Sequence, residues 1–492
     1  MVEIDGLYTL FTIALVIVVL QLIVIVVMMR QIKNLREQVE SFTQSVGTSD
    51  SDGDTVPQDA VDVDNGTTDS QVIDETSDGN DTTIPGQADE GTPEAQSRSK
   101  TIKEKVIDTI LKIKEVAPED LSLVTKDLSA YFAESPHEKY TEDLNSREYF
   151  RLVDLSGQDD TRVVVIGDIH CDYHSLVAIL LKLSVSDYDY FAKAVFVFLG
   201  DYLDRGTVLF EPLLLLKGLK ELLGDRMIML KGNHESIHYS DKTRMISTSV
   251  IPNQSCECLN RYCGNDSPFL RLFASHYSNL PIYVYLKTAG RNVILTHAAI
   301  PRDKNMDSFY LDETTGDIVF EFNTPISDRL KIRNSIFKDM IWGDPRNCEE
   351  KMQCESRFEF GRKQFERFAS RNHIDLLLRS HEEASRGYKS FFEEKLFTLF
   401  STGGAENSQT GYPNVEPAFA IMKNGHLMIE NSYIYTIQDG SKLRVVNLFN
   451  KQQYTEIQQE GMKLNAEFQC SKETGDYIRE IIKTVKASFP SD

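Results

Sequence analysis

The chain has 492 residues, a hydrophobic fraction of 41% and a formal net charge of −22, and its length allows several domains. The acidic balance argues against nucleic-acid binding as the main function, because a nucleic-acid partner attracts a basic surface. Seven cysteines in a chain of this length do not make a disulfide-stabilised scaffold. We therefore expect buried or incidental thiols.

An uncharged apolar stretch runs from Leu7 to Met29. As a helix it would be roughly 34 Å long, which is enough to cross a bilayer. A signal peptide and a buried core helix are the alternatives, but acidic residues precede the stretch and no small-residue cleavage site follows it. Arg30, Lys33 and Arg36 come next, and the positive-inside rule then predicts a single-pass anchor with the rest of the chain in the cytoplasm.

An acidic linker follows the anchor. Between Ser45 and Ser97 there are 14 Asp or Glu residues and no Lys or Arg. Such a segment cannot bury enough apolar surface to fold, so we expect an extended tether. Residues 30–44 are predicted to form a short juxtamembrane helix between anchor and tether.

The folded part is predicted to begin with a helix over residues 101–116, where Val106, Ile110 and Ile113 have helical spacing. A second short helix is expected over 140–149, and residues 236–276 are expected to be irregular and partly helical. Further helices are predicted over 361–371 and 474–486. Short apolar runs predict strands, of which the first opens the sheet at Arg162: 162–166, 194–199, 227–230, 282–287, 292–295, 375–378, 396–401 and 418–422.

Three polar blocks follow the first three of these strands: GDIH (167–170), FLGDYLDRG (198–206) and LKGNHE (230–235). Open α/β sheets place their sites at the carboxyl ends of strands, so we expect these side chains to meet. The candidate metal ligands each follow a strand-like run and are Asp168, His170, Asp201, Asn233, His297 and His381. This mixture of carboxylate, imidazole and amide oxygen suits Mn²⁺, Fe²⁺ or Zn²⁺.

The same blocks predict a phosphoryl-transfer chemistry. Asp201 is the best candidate to bridge two ions ~3.5–4 Å apart, which would acidify a shared water and neutralise phosphoryl oxygens during in-line attack. His234 would protonate the leaving alkoxide, with Asp204 orienting its imidazole. Arg205 offers a bidentate fork for phosphate oxygens.

The blocks resemble the phosphoprotein phosphatase (PPP) family of serine/threonine phosphatases, within the calcineurin-like metallophosphoesterases. The family pattern GDxHG, GDYVDRG, GNHE appears here as GDIHC, GDYLDRG, GNHE, and WGDP (342–345) and RSH (379–381) resemble later motifs. The resemblance implies an α/β fold with a central β-sandwich flanked by helices. It also implies roles for the polar residues: a first metal ion on Asp168, His170 and Asp201, a second on Asp201, Asn233, His297 and His381, an acid pair of His234 and Asp204, and phosphate binding by Arg205.

Three departures from the family pattern concern the surroundings of the site. Cys171 replaces the last glycine of GDxHG and raises the alternatives of a redox-sensitive thiol and an inert small residue. Cys354 stands where the family has a second phosphate-binding arginine, and Arg357 is the candidate to replace it. The family's S-x-P-N-Y loop is replaced by STGGA (401–405), and Tyr412 is the candidate for its tyrosine.

We therefore predict a membrane-anchored, metal-dependent phosphomonoesterase that acts on phosphorylated proteins through a hydroxide held by two metal ions. The alternatives are a nucleotide phosphohydrolase of the diadenosine tetraphosphatase type and a non-catalytic anchored scaffold. The sequence names no regulatory subunit. The predicted segments are a non-cytoplasmic N-terminus (1–6), the transmembrane helix (7–29), the juxtamembrane helix (30–44), the linker (45–97), a helical lead-in (98–148), the catalytic domain (149–430) and a C-terminal extension (431–492).

Overall fold

The computed structural model describes residues 99–447, apart from 114–115, 135–148, 159, 185, 187, 265–266, 352–357, 406, 433 and 440–441. The predicted anchor, juxtamembrane helix, acidic linker and C-terminal helix lie outside these residues, as does almost all of the helix predicted over 140–149. Among the residues described, no helix is both long and apolar enough to cross a membrane.

The described helices, in chain order, are α1 (Ile102–Lys112), α2 (Leu121–Glu134), α3 (Tyr173–Ser184), α4 (Tyr190–Lys193), α5 (Phe210–Leu223), α6 (Gln254–Cys263), α7 (Pro268–Ser278), α8 (Asp303–Met306), α9 (Ile326–Trp342) and α10 (Arg362–Arg371). Short 3₁₀ turns precede α2 and follow α5.

The described strands begin with β1 (Phe150–Asp154), β2 (Arg162–Ile166), β3 (Val195–Phe198), β4 (Met227–Met229), β5 (Ile237–Ser240), β6 (Met245–Thr248), β7 (Tyr283–Thr288), β8 (Arg291–Thr296), β9 (Phe309–Leu311) and β10 (Ile318–Phe320). They continue with β11 (Asp344–Pro345), β12 (Glu359–Phe360), β13 (Leu376–Arg379), β14 (Tyr388–Phe391), β15 (Leu396–Leu399), β16 (Ala418–Lys423), β17 (His426–Asn431), β18 (Ile434–Asp439) and β19 (Lys442–Asn447).

Two sheets form the centre of the fold. The first has the order β17-β16-β2-β3-β4, and the second has the order β1-β7-β8-β13-β15-β14. Within the first sheet β2, β3 and β4 are parallel, and within the second β13 is parallel to both β8 and β15. Parallel neighbours carry their carboxyl ends to the same sheet edge, and this edge is where the polar blocks begin.

Alternation along the strands explains why the sheets stack. In β2, Val163 and Val165 belong to a buried cluster that also contains Val293 and Leu295 of the second sheet. Val164 faces the opposite side, in a cluster with the helices α1 to α7. Because successive side chains of a strand point to opposite faces, one apolar run supplies both layers. A third cluster joins the outer face of the second sheet to α9 and α10.

The arrangement is thus a β-sandwich with helices on both outer faces. The predicted α/β architecture is confirmed for the described residues, and the predicted strands coincide closely with observed ones.

The first helix, α1, belongs to the helical layer on the outer face of the first sheet. Thr101 closes a capping box with Glu104, which satisfies free N–H groups at the start of α1. The Tyr173 hydroxyl donates to the carbonyl of Ile110 over 3.0 Å. The helix ends at Lys112, short of the predicted end at residue 116, because Ile113 is already extended (ψ 114°).

Other predictions were incomplete. The second sheet begins with β1, before the expected start at Arg162, and residues 236–276 contain the hairpin β5–β6 as well as two helices. The helix α9 and the hairpin β18–β19 were not predicted. β1 was missed because Phe150–Asp154 reads FRLVD, a run too polar and too short to stand out without its parallel partner β7.

Candidate metal centre

The six predicted ligands come from loops that follow strands of both sheets. Asp168 follows β2, Asp201 follows β3 and Asn233 follows β4, all in the first sheet. His297 follows β8 and His381 follows β13, both in the second sheet. The site therefore lies at one edge of the sandwich and needs both sheets to be complete.

The backbone at this edge is strained. His170, Asp201 and His381 have φ values of 45°, 53° and 76°, and the neighbouring Asp204 and Arg205 have 64° and 67°. Positive φ is uncommon outside glycine and concentrates at functional sites, where surrounding structure enforces it. Most of the predicted site residues of the first two blocks thus adopt a conformation that packing elsewhere must stabilise.

Gly232 permits the close approach of the second and third blocks. A Cβ at this position would collide with the backbone and side chain of Asp201 and would lie 2.8 Å from a carboxylate oxygen of Glu235. No side chain fits there without displacing Asp201, so the glycine of GNHE is required by the geometry of the site.

The first ligand group contains Asp168, His170 and Asp201. The Nε2 atom of His170 lies 3.4 Å from Oδ2 of Asp168 and 3.6 Å from Oδ2 of Asp201. The Nδ1 atom of His170 is 2.8 Å from the carbonyl of Leu203, to which it donates, so Nε2 carries the lone pair. Oδ2 of Asp168 is buried and has no hydrogen-bond partner, although a buried carboxylate oxygen normally needs one.

The second group forms around His297. Its Nδ1 atom donates to the carbonyl of Leu199 over 2.9 Å, so its Nε2 atom is an acceptor. That atom lies 3.0 Å from Oδ1 of Asn233, 3.1 Å from Nδ1 of His381 and 3.4 Å from Oδ1 of Asp201. The oxygens of Asn233 and Asp201 thus face the lone pair of His297 Nε2 without a proton between them, and such an arrangement is repulsive unless a cation lies among these atoms.

The residues present therefore fit a pair of divalent metal ions. Asp201 belongs to both groups, with Oδ2 turned to His170 and Oδ1 turned to His297, as a bridging carboxylate requires. Burial lowers the pKa of His297 to about 4, so the ring is neutral near pH 7 and its lone pair is available. Burial and the charges of Asp168 and Glu235 raise the pKa of Asp201 well above its usual value, a penalty that cations would remove.

His234 and Asp204 lie beside the first group. Nδ1 of His234 is 2.7 Å from Oδ2 of Asp204, and both side chains are buried. The other oxygen of Asp204 accepts the N–H of Ser255 over 2.7 Å, which fixes the carboxylate. Nε2 of His234 lies 4.0 Å from Oδ2 of Asp201. Burial lowers the pKa of His234 to about 4, against the opposing effect of Asp204.

Arg205 lies at the exposed rim of the site. Its Nε atom lies 3.4 Å from Nε2 of His234, and its guanidinium carbon lies 5.8 Å from the ring centroid of Tyr412. The Tyr412 ring is also 5.6 Å from that of His170, so the structure brings Tyr412 to the site. Arg357, the other predicted phosphate ligand, lies outside the described residues.

Two buried residues behind the ligands, Glu235 and Asp344, were not assigned a role in the sequence analysis. Glu235 accepts the backbone N–H groups of Asp201, Tyr202 and Gly232 over 2.8, 2.9 and 2.9 Å. It therefore ties the second block to the third. The sequence did contain a signal for this role, because Glu235 is the last residue of the GNHE motif.

Asp344 lies beside the histidine that completes the second group. One of its oxygens lies 3.1 Å from Nη2 of Arg379 and 3.9 Å from Nε2 of His381, which leaves Nδ1 of His381 turned to the centre. Ser380 donates its hydroxyl to Asp168 and accepts the Asp168 N–H over 2.9 Å. Such outer contacts fix the orientation of ligating side chains. Asp344 and Ser380 belong to the motifs WGDP and RSH, but the spacing of these motifs did not predict a role for either residue.

Cys171 is buried, with Sγ 3.8 Å from Oγ of Ser255. Burial and the nearby Asp204 raise the pKa of its thiol far above the usual value. Because the thiolate is the reactive form, the geometry favours an inert small residue over a redox-sensitive one.

Comparisons with known proteins agree with this site. Residues 161–383 match the family model described as calcineurin-like phosphoesterase. The chain is 26% identical over 260 residues to the serine/threonine-protein phosphatase 4 catalytic subunit of Saccharomyces cerevisiae, covering 52% of this chain and 74% of that protein. It is 28% identical over 284 residues to the phosphatase 6 catalytic subunit of Caenorhabditis elegans, covering 57% and 74%.

Among solved structures, a serine/threonine phosphatase from Saccharomyces cerevisiae with similarity to human phosphatase PP5 matches with a TM-score of 0.46 and 20% identity, covering 67% of this chain and 94% of that one. The family match and the ligand geometry define a metal-dependent phosphoesterase. More narrowly, the chain is a dinuclear metallohydrolase that is similar to the serine/threonine phosphatases of the PPP family.

Proposed function

We propose that this protein is a membrane-anchored phosphatase that removes phosphate from serine and threonine residues of other proteins. The observation that carries the proposal is the position of Asp201, which lies within ligand reach of His170 and His234 on one side and of His297 and His381 on the other, while Asp204 holds Nδ1 of His234. A bridged pair of sites next to a buried imidazole–carboxylate pair can support in-line hydrolysis of a phosphomonoester, with the metal sites activating a water and the imidazole protonating the leaving group.

The ions themselves would acidify a water and neutralise the charge of the phosphoryl oxygens. Asp168, His170 and Asp201 would hold one, and the group around His297 would hold the other. The donor set favours Mn²⁺, Fe²⁺ or Zn²⁺.

The chain's own residues then handle the phosphate and the proton. Arg205, exposed at the rim, can turn its guanidinium onto two phosphate oxygens. His234 has a low pKa before substrate binds, and the negative charge of a bound phosphate raises it, which favours the protonated ring. Asp204 holds Nδ1, so the proton delivered to the leaving oxygen comes from Nε2.

The protein-substrate assignment is supported by the relatives, which are described as serine/threonine-protein phosphatases. A diadenosine tetraphosphatase-type activity would use the same metal centre and is the principal competing outcome of the test below.

The anchoring is supported by sequence alone. The 23 uncharged residues from Leu7 to Met29 and the basic residues after them favour a single-pass anchor with a cytoplasmic catalytic domain. Alkaline carbonate extraction should leave the full-length chain in the membrane, whereas deletion of residues 7–29 should release it. Cleavage of the catalytic domain by protease added to intact cells would contradict the cytoplasmic placement.

The substrate class can be tested with the full-length protein in detergent micelles and Mn²⁺. We expect turnover of p-nitrophenyl phosphate and of phosphoserine peptides, and an Asp201→Asn variant purified in parallel controls for contaminating phosphatases. Diadenosine tetraphosphate is the competing substrate. A kcat/KM for it about tenfold above that for phosphoserine peptides would reject the protein-phosphatase assignment, because specificity is the ratio of these values.

A further inference from the structure

A buried carboxylate lies beneath the described residues of the segment 402–412 (all but 406), at the side of the site where Arg205 is found. Asp172 accepts four hydrogen bonds: from the backbone N–H (3.0 Å) and hydroxyl (2.6 Å) of Ser175, from the hydroxyl of Thr402 (2.7 Å) and from Nδ2 of Asn407 (2.8 Å). These four residues, here called the Asp172 cluster, are all buried. Four donors satisfy a buried carboxylate and make its geometry hard to change.

A chain of hydroxyl groups runs from this cluster to Tyr412. The Thr402 hydroxyl gives its proton to Asp172, so the Thr410 hydroxyl, 2.8 Å away, donates to Thr402. The backbone N–H of Tyr412 donates in turn to the Thr410 oxygen over 3.1 Å. Each bond polarises the next, so the position of Tyr412 depends on the buried carboxylate.

Asn407 fixes the middle of the segment. Its Nδ2 atom donates to the carbonyl of Gly403 over 2.9 Å as well as to Asp172. Its Oδ1 atom accepts the N–H of Gln409 over 3.0 Å and lies 3.2 Å from Nδ1 of His174. The side chain thus joins both ends of a tight loop to the start of α3.

The segment held in this way rests against Arg205. The carbonyl of Gln409 accepts the N–H of Thr207 over 3.0 Å, and a Cβ on Gly411 would lie only 2.7 Å from the carbonyl oxygen of Arg205. The Tyr412 ring flanks the guanidinium, with 5.8 Å between the Arg205 Cζ atom and the ring centroid. Backbone and side chain of Arg205 are therefore both bounded by residues 407–412.

We propose that the Asp172 cluster positions Arg205, acting through the segment 402–412, so that Asn407 and Thr410 set the affinity for the phosphoryl group without touching it. An exposed arginine has many rotamers, and binding costs less when its neighbours already restrict them. The inference rests on the proposed function in one respect, namely that Arg205 binds the phosphate.

The test measures binding of inorganic phosphate by calorimetry to the full-length, Mn²⁺-loaded protein, together with kcat and KM for p-nitrophenyl phosphate. Asn407→Ala and Thr410→Val should weaken phosphate binding and raise KM about five- to tenfold, as expected for lost preorganisation, with metal content and kcat nearly unchanged. Thr410 is only half-buried, so its variant serves if Asn407→Ala fails to fold. Ser408→Ala changes an exposed side chain of the same segment and should have no effect.

The decisive comparison adds Arg205→Ala. If the cluster acts through Arg205, then Asn407→Ala should weaken phosphate binding no further in the Arg205→Ala background, because coupled residues are not additive. The proposal would be overturned if the double variant lost phosphate affinity by the product of the two single losses. It would also be overturned if metal content fell in parallel with phosphate affinity. Failure of the proposed function is recognised separately, since the unaltered protein would then hydrolyse no phosphate ester while phosphate binding could still be measured.

Discussion

The pairing of His234 with Asp204 gives a sharp prediction. In Asp204→Asn the amide oxygen can still accept the Ser255 N–H, now accepted over 2.7 Å, and asparagine tolerates the left-handed backbone at this position (φ 64°). The amide nitrogen then faces Nδ1 of His234. Two donors oppose each other, so the imidazole loses both its charged partner and its orientation.

The magnitude follows from the bond that is lost. The contact is 2.7 Å long between two buried side chains, and a hydrogen bond to a charged group contributes about 1.5–3 kcal/mol. If His234 needs this bond mainly in the transition state, kcat falls by about 10- to 150-fold, because 1.36 kcal/mol corresponds to a factor of ten. The burial places the expectation at the upper end of that range, with KM little changed.

The assay compares two leaving groups. In a phosphoserine peptide the leaving group is the serine alkoxide, which needs a proton, whereas the p-nitrophenolate of p-nitrophenyl phosphate leaves readily without one. The Asp204→Asn loss should therefore be large for the peptide and much smaller for p-nitrophenyl phosphate. Asp225→Asn is the matched control, because Asp225 is exposed and precedes β4 at the edge opposite the site. Equal losses for both substrates, with full metal content, would refute the assignment of His234 as the acid.

Three other predictions concern the metal centre. Asp201→Asn should lose metal from both ligand groups, measured by elemental analysis, and retention of two ions would contradict the bridging role. Glu235→Gln turns an N–H donor towards backbone N–H groups, so we expect about 1–3 kcal/mol lower stability in urea denaturation, with the exposed Glu257→Gln unchanged. Burial lowers the pKa of both His234 and His297 to about 4. At these two rings the unfolded metal-free chain binds more protons than the folded one below about pH 6.5, so both histidines act to lower stability between pH 6.5 and 4, whereas the raised pKa of Asp201 acts in the opposite direction. Replacing both histidines with asparagine should therefore reduce the loss in urea midpoint between pH 7 and pH 4.5, and an unchanged pH dependence would disprove this.

The sequence predicted the part of the site in which local pattern and chemistry coincide. The strands β2, β3 and β4 are runs of apolar residues that are buried on both faces, and each ends at a glycine-containing polar block. In these three segments the apolar pattern, the length of the run and the glycine-containing block that ends it all indicate a buried strand. Asp168, Asp201 and Asn233 could therefore be placed at one sheet edge without a structure, and the family resemblance is confirmed.

The residues that hold those ligands in position were harder to predict because their partners are far away in the chain. Ser380 bonds to Asp168 across 212 positions, and Asn407 bonds to Asp172 across 235. No local sequence pattern predicts a pairing between residues so far apart in the chain. The segment 402–412 matched no family pattern, so neither its shape nor its contact with Arg205 followed from spacing. Arg357 and the anchor stay predictions, since both lie outside the described residues.

The distribution of these contacts explains why the site needs the whole sandwich. The first sheet supplies Asp168, a carboxylate whose second oxygen has no hydrogen-bond partner, and the second sheet supplies the histidines His297 and His381. Neither sheet alone presents both ligand groups, and the bond between Ser380 and Asp168 crosses the junction. Binding of the ions would therefore stabilise the stacking of the sheets as well as create the reactive centre, because ligands contributed by two layers couple metal affinity to folding.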